Sequence, residues 1–299
     1  MVDQRLYSLL AIYECGSFLA AAKKLSVTQP AVSQHIKTLE NELGIRIFER
    51  SNGKVIVTKQ GEKVLRCAKR MVALENALTE DLKKGEKMID NLTIGITHSS
   101  ESNAIVEALA KYCAGNSGIS IKIITDSIKN LYNKLKDYEI DIAIVEGRIT
   151  DDKVRYLMLD TDYLVLAVSP NHPFAKRSMV TLSELQRERM ILRLPNSATR
   201  NLFEAHLESS NMSLGDFNVI LEVDNVATIK DLIRRDFGVS ILPKSVCLDE
   251  LKKGKMSVIP VENLSMMREI NIAYQTDFTQ TEILQGIISS YNETKKAYE

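Results

Sequence analysis

The residues whose types and spacing could do chemistry lie in two places. Between positions 28 and 37, the run Thr28-Gln29-Pro30-Ala31-Val32-Ser33-Gln34-His35-Ile36-Lys37 gathers short hydrogen-bonding groups and one cation. Amides, hydroxyls and a lysine at a helix N-terminus are groups that read base edges and phosphates in a DNA groove. Further along come three loops dense in hydroxyls and amides: Thr97-His98-Ser99-Ser100-Glu101-Ser102, Asn196-Ser197-Ala198-Thr199-Arg200, and Asp224-Asn225. Such groups can satisfy a small polar or anionic ligand, and they are also ordinary helix caps. Enzyme chemistry lacks its usual signatures, with no GxGxxG, GxxxxGK, GxSxG or HExxH, and the four histidines His35, His98, His172 and His206 are dispersed. Cys15, Cys67, Cys113 and Cys247 stand far apart without a CxxC pair, which argues against zinc and against a disulfide framework. They read as reduced structural thiols, with a redox-sensing thiol as the alternative. No cofactor or metal is expected.

The 299-residue chain has room for two or three domains. Hydrophobic residues at 44% and charged residues at 26% describe a globular protein. No apolar run reaches the ~20 residues that cross a bilayer, and the first residues lack a signal-peptide core, so a cytoplasmic location is expected. The formal net charge of zero hides an asymmetry. Residues 1–87 hold 15 basic and 10 acidic side chains, and the rest hold 24 and 29. Only the N-terminal part suits a phosphate partner.

The elements that must position the first group are legible. Leu6, Leu9, Leu10, Ile12 and Tyr13 recur at helical spacing and end at Gly16. Ser17 is a good N-cap for a second helix, Phe18 to Leu25, whose small Ala21 and Ala22 let another helix cross closely. Thr28 caps a third helix reaching about Leu43, with Pro30 in its first turn. Val32, Ile36, Leu39 and Leu43 form its buried stripe; Gln29, Pro30, Ser33, Gln34 and Lys37 face away. A turn at Ser51-Asn52-Gly53 then separates two strand-like runs, a wing whose Arg50 and Lys54 would reach flanking phosphates.

The residues Gly16-Ser17-Phe18, Ala21-Ala22, Leu25, Gln29-Pro30-Ala31-Val32-Ser33, Ile36, Leu39-Glu40, Leu43-Gly44, Phe48, Arg50, Thr58 and Gly61 resemble the DNA-binding domain of LysR-type transcriptional regulators. Ser51-Asn52-Gly53 is less basic than many family wings. The expected DNA-contacting set is Ser17, Thr28, Gln29, Pro30, Ser33, Gln34, Lys37, Arg50 and Lys54. From Lys59 to about Lys87 there is no proline, and Val64, Ala68, Met71, Leu74, Leu78 and Leu82 make one apolar seam on a long helix. That seam predicts a dimer contact, as the resemblance also implies, and paired heads would read a palindromic operator.

From Leu92 onward, strands and helices alternate. Leu92–Ile96, Ile119–Ile124 and Ile140–Val145 read as strands of a βαβαβ unit, and a second unit begins near Tyr163–Val168. The expected architecture is multidomain α/β: a winged helix-turn-helix over 1–58, a linker helix over 59–88, and a two-lobed effector domain. Lobe 1 would comprise 89–162 and 266–299, and lobe 2 would comprise 163–265. The segments Ser169–Ala175, Ser197–Arg200 and Gly238–Pro243 resemble the effector domain of the same family, which implies a periplasmic-binding-protein-like lobe pair. The resemblance places contacts near Ser99, Ser100, Ser197 and Thr199; Thr97, His98, Arg200 and Asn225 complete the candidate set. His98 reads either as a structural histidine or as a ligand or pH reporter, and Arg200 as a carboxylate clamp or a fold contact. Family members often carry glycine where this chain has Asp236.

The alternative readings are an enzyme, a plain solute-binding protein, and a DNA binder without a ligand. The expected partners are double-stranded DNA, a small effector, a second copy in a dimer or dimer of dimers, and RNA polymerase, with no membrane.

Overall fold

The computed structural model describes residues 2–51, 54–83, 90–98, 100, 103–195, 197–264 and 266–298. The chain divides into two compact units, residues 1–89 with 133–139, and residues 90–132 with 140–299.

The N-terminal unit opens with α1 (Gln4–Cys15), which ends where Gly16 takes the left-handed conformation. Ser17 caps α2 (Phe18–Lys24) through the Ala20 N–H, and Thr28 caps α3 (Gln29–Leu43) through that of Ala31. Helix α3 stops at Gly44, whose φ of 64° costs a residue without Cβ little. Leu9, Ile12, Ala21, Val32 and Ile36 close the core between these helices. Leu43 departs from the expected buried stripe, being 50% exposed. Glu40 takes the inward place one turn earlier, where it faces the wing.

That wing is an antiparallel hairpin of β1 (Phe48–Ser51) and β2 (Lys54–Val57), with Phe48 opposite Val57 and Ser51 opposite Lys54. The next helix, α4 (Lys59–Lys83), is bonded to the strand before it begins. Thr58 donates its N–H to the Ile47 carbonyl and its hydroxyl to that of Arg46, and accepts from the Gly61 N–H. A Cβ on Gly61 would lie 2.3 Å from the Ile47 oxygen, so this joint needs glycine. Leu65 and Ala68 bury in the head's core, so Ala68, expected on the exposed seam, belongs to the head instead. Met71, Leu74, Leu78 and Leu82 are all more than half exposed. Residues 84–88 of the expected linker lie outside the described residues.

The second unit is built on a seven-stranded sheet in the order β10-β6-β11-β5-β3-β4, with β9 also paired to β6. Its first part alternates β3 (Asp90–Thr97), α5 (Asn103–Gly115), β4 (Ile119–Asp126), α6 (Ile128–Lys136) and β5 (Ile142–Glu146). These three strands are parallel, as the alternating pattern predicts. Then β6 runs 15 residues without a break, Val154–Val168. After α7 (Leu182–Leu185) come β7 (Met190–Arg193), α8 (Ala198–Ser209), β8 (Val219–Val223), α9 (Val226–Arg234), β9 (Ser240–Pro243), α10 (Lys244–Lys252) and β10 (Ser257–Ile259). The chain closes with β11 (Met267–Gln275) and α11 (Thr281–Lys296). Strand β11 runs antiparallel to both β5 and β6.

The core of this unit falls into separate clusters. One joins Ile94, Ile96, Leu109, Ile144, Ile272 and Leu284, from residues 92–159 and 270–291. The others, around Leu166, Phe203 and Ile241 and around Ile191, Ile229 and Leu242, draw on residues 164–266. Strand β6 contributes to both sides, with Leu159 in the first cluster and Leu164, Leu166 and Val168 in the second. The first half of β6 and the helix α10 were not anticipated. Asp236 takes a φ of 61°, a conformation that aspartate tolerates and that glycine takes freely. No helix among the described residues is long and apolar enough to cross a membrane.

Candidate DNA interface and effector cleft

Capping fixes where α3 starts, and the start fixes what it presents. Gln29, Pro30, Ser33, Gln34 and Lys37 are exposed on one face, while Val32, Ile36 and Leu39 are buried on the other. Thr28 spends its hydroxyl on the cap, as does Ser17 at α2, so each presents its backbone and leaves its oxygen less free for DNA. Gln34 also donates to the Thr38 hydroxyl at 3.4 Å. A concavity of about 1030 Å³ lies between α3 and the wing, with Ser33, Lys37, Arg46 and Arg50 among its lining residues. Arg50 and Lys54 are exposed on the hairpin. The positive end of the α3 dipole plus exposed cations on a wing form a surface suited to polyanion backbone.

One residue holds the wing to α3. Glu40, buried, accepts from the backbone N–H of Ile47 at 2.7 Å and of Phe48 at 3.3 Å, and from Arg46 Nη1 at 3.2 Å. The sequence displayed Glu40 only as part of a family pattern. Its partners lie just six to eight positions on, but no local spacing rule pairs a helix carboxylate with the next strand's amides.

In the second unit, the candidate loops lie at the carboxyl ends of parallel strands, where α/β folds bind ligands. Thr97, the last residue of β3, donates its hydroxyl to Glu146 Oε2 at 2.7 Å. Glu146 closes β5 and accepts from Arg268 Nη1 at 3.0 Å, and Arg268 Nη2 reaches Asp162 Oδ2, also at 3.0 Å. Ser245, at the start of α10, donates its hydroxyl to Asp162 at 2.7 Å. A polar chain thus runs Thr97, Glu146, Arg268, Asp162, Ser245, from the end of β3 across β5, β11 and β6 to the start of α10. All but Ser245 are less than a tenth exposed.

The other candidates divide. Ser197 and Asn225 spend their side chains as N-caps of α8 and α9. Arg200 is held by Glu204 and Glu222 and donates to the Arg193 carbonyl, so it braces α8 against β7 and β8 and is not available as a clamp. His98 sits half-buried in the turn after β3. Ser99 lies outside the described residues. Ser100 and Thr199 are buried at 0% and 2% exposure, and neither hydroxyl has a partner among the described residues.

Sequence reasoning missed Arg193. It ends β7, is 3% exposed, and pairs through Nη2 with Asp224 at 3.1 Å. Desolvation pushes its pKa below the usual arginine value, against the opposing pull of Asp224 and of Glu146. A terminal arginine on an otherwise apolar strand, Met190-Ile191-Leu192-Arg193, was the available signal.

Residues 4–62 match the family model "Bacterial regulatory helix-turn-helix protein, lysR family", and residues 88–294 match "LysR substrate binding domain". A "Probable RuBisCO transcriptional regulator" of Thalassiosira pseudonana is 30% identical over 282 residues, 92% of this chain and 91% of that protein. Among solved structures, full-length OxyR from Pseudomonas aeruginosa aligns with a TM-score of 0.68 at 21% identity, covering 98% of this chain and 95% of that one. Full-length CbnR in complex with its target DNA aligns with a TM-score of 0.69 at 16% identity, covering 98% and 100%. The chain belongs to the LysR family of transcriptional regulators. It is therefore a DNA-binding regulator with an effector-binding domain, in a family of regulators and not of enzymes.

Proposed function

We propose that the recognition helix α3 enters the major groove of an operator with Gln29, Pro30, Ser33, Gln34 and Lys37 toward the bases and phosphates, while Arg50 and Lys54 hold flanking phosphates. The observation that carries this is the one-sided exposure of α3: a polar, cap-fixed face opposite a buried apolar stripe. Residues 1–58 act as the DNA-binding head, 59–88 as the linker, and 89–162 with 266–299 and 163–265 as the two lobes of the sensor.

The exposed run Met71, Leu74, Leu78 and Leu82 continues at helical spacing down the free part of α4, which favours a homodimer through this helix, alone or as a dimer of dimers. Two linked heads then sit on successive turns of a palindromic site. A small polar effector between the two lobes shifts their arrangement, and with it head spacing and DNA bend. RNA polymerase is the partner that reads the outcome, and the cytoplasm, where the DNA lies, is the working compartment.

The test is electrophoretic mobility shift with the DNA upstream of the protein's own gene, at fixed salt. Gln29→Ala and Ser33→Ala are each expected to weaken the specific shift, Gln29→Ala by about tenfold, with non-specific binding unchanged. Lys37→Ala is expected to weaken binding to all sequences and to reduce the salt slope by about 1. Specific binding that none of the three changes affects would remove α3 from the groove.

A further inference from the structure

Helix α4 leaves the DNA-binding head past a carboxylate that ties the two together. Glu75 accepts from the Val2 N–H at 2.7 Å through Oε1 and from the Tyr7 hydroxyl at 2.6 Å through Oε2. Val2 packs against the head core and precedes Asp3, the N-cap of α1, so Glu75 stands at the positive end of that helix. Further back along α4, Lys69 Nζ lies 5.7 Å from the centre of the Tyr13 ring. Tyr7 to Tyr13 and Glu75 to Lys69 are equal steps of about 9 Å taken in opposite senses along the chain. Helices α1 and α4 therefore pack antiparallel, with two polar rungs in register.

The rungs fix a direction. At about 100° per residue, Ala68, buried in the head, lies about 20° to one side of Glu75, and the exposed Leu82, Met71 and Leu78 lie about 20°, 40° and 60° to the other. Glu75 thus marks the border between the face that holds the head and the seam that is free to hold a second copy. From Gly61 to Ala68 the anchored length of α4 is about 10 Å, and the Glu75 contacts extend it to about 21 Å. A tilt of about 10° over the ~26 Å from Gly61 to Leu78 moves the head by about 4.5 Å, more than the rise of about 3.4 Å between successive base pairs.

We propose that Glu75 is a positioning residue that sets the spacing of operator half-sites the paired heads accept. It does so by fixing the angle between α1 and α4, and with it the direction in which α3 stands away from the seam. This rests on the α4 dimer proposed above. Because one carboxylate holds both a backbone N–H and a side chain at the start of α1, a tilt or a rotation of α4 breaks both bonds together.

The experiment uses the full-length chain and an operator recovered by binding selection, remade with one or two base pairs inserted or removed between its half-sites. Affinity is read by fluorescence anisotropy at fixed salt, and oligomeric state by sedimentation at the same concentration. Wild type is expected to lose about tenfold or more with the first base pair changed, since both heads then cannot engage together. Glu75→Ala is expected to bind the native operator about fivefold more weakly and to stay within about threefold of that value across the altered spacings. Tyr7→Phe, which loses only the hydroxyl, is expected to flatten the profile part of the way and serves if Glu75→Ala fails to fold. Glu75→Gln keeps an acceptor for the Val2 N–H and is expected to restore most of the wild-type dependence. Variants whose affinity falls by one factor at every spacing would have lost stability alone, and would overturn the assignment. So would a dimeric wild type indifferent to spacing. If wild type is a monomer, the dimer reading fails and the positioning role with it; if it is a dimer and Glu75→Ala keeps the wild-type dependence, only the positioning role falls.

Discussion

Arg268→Met is expected to destabilise the effector-binding unit by about 3–5 kcal/mol, which for a unit of this size lowers Tm by roughly 6–20 °C. Arg268 is 8% exposed and lies between the carboxylates of Glu146 and Asp162, each 3.0 Å from a different Nη. Methionine fills much the same volume but leaves two buried carboxylates with no cation between them. The Thr97 and Ser245 hydroxyls and two backbone N–H groups on Asp162 satisfy hydrogen bonds but not charge. Arg268→Lys keeps the charge and loses the two-pronged reach, so its cost is expected to be smaller. The triple change Arg268→Met, Glu146→Gln, Asp162→Asn removes the charges together and is expected to recover a large part of the loss. Calorimetry on the four proteins checks this. A single-variant loss below about 1 kcal/mol would show that the cluster is solvated like a surface pair.

Glu40→Ala is expected to cost the N-terminal unit about 2–4 kcal/mol and, with it, most operator affinity. Alanine leaves the Ile47 and Phe48 N–H groups buried and unbonded where a carboxylate had accepted both. Since those amides begin the wing, their loss frees the hairpin from α3 and spoils the joint placement of Arg50 and Ser33. Glu40→Gln keeps an acceptor at the same position and is expected to cost about half as much. Urea denaturation followed by helical circular dichroism, alongside operator binding, gives both readouts. A Glu40→Ala protein within about 0.5 kcal/mol of wild type would show that the hairpin is held by packing alone.

The head was legible in the sequence because its instructions are local. Gly16, Ser17, Thr28, Pro30 and Gly44 each act within one turn of the element they start or stop, and α2 and α3 begin where those residues put them. The effector unit was legible where strands are apolar and opaque where they are not. The part of β6 before Tyr163 carries Arg155, Asp160 and Asp162, which interrupt any apolar alternation. Asp160 is satisfied by Tyr291 and Lys295, and Asp162 by Arg268, all more than a hundred residues away. Helix α10 was hidden because Pro243 ends one strand and also stands at the N-cap of the helix, with no side-chain cap to announce it.

The candidate site followed the same division. Ser197 and Asn225 looked like caps or contacts, and in the structure both cap helices. Ser100 and Thr199 looked the same in sequence but keep their buried hydroxyls uncommitted. Nothing in the spacing separates those two pairs. Arg200 read either as a carboxylate clamp or as a fold contact, and in the structure Glu204, Glu222 and the Arg193 carbonyl tie it into the fold. Arg193, seven residues earlier on a strand end, is the arginine with donors to spare.

The most direct measurement is hydroxyl-radical footprinting of the full-length protein on genomic fragments selected by binding, with wild type beside Gln29→Ala and Ser33→Ala. Two protected half-sites related by a dyad, about 10 bp apart centre to centre or a multiple of that, are expected for wild type, and both are expected to fade in the two variants. A single asymmetric footprint, or protection that survives both changes in α3, would contradict a paired-head regulator reading its operator through this helix.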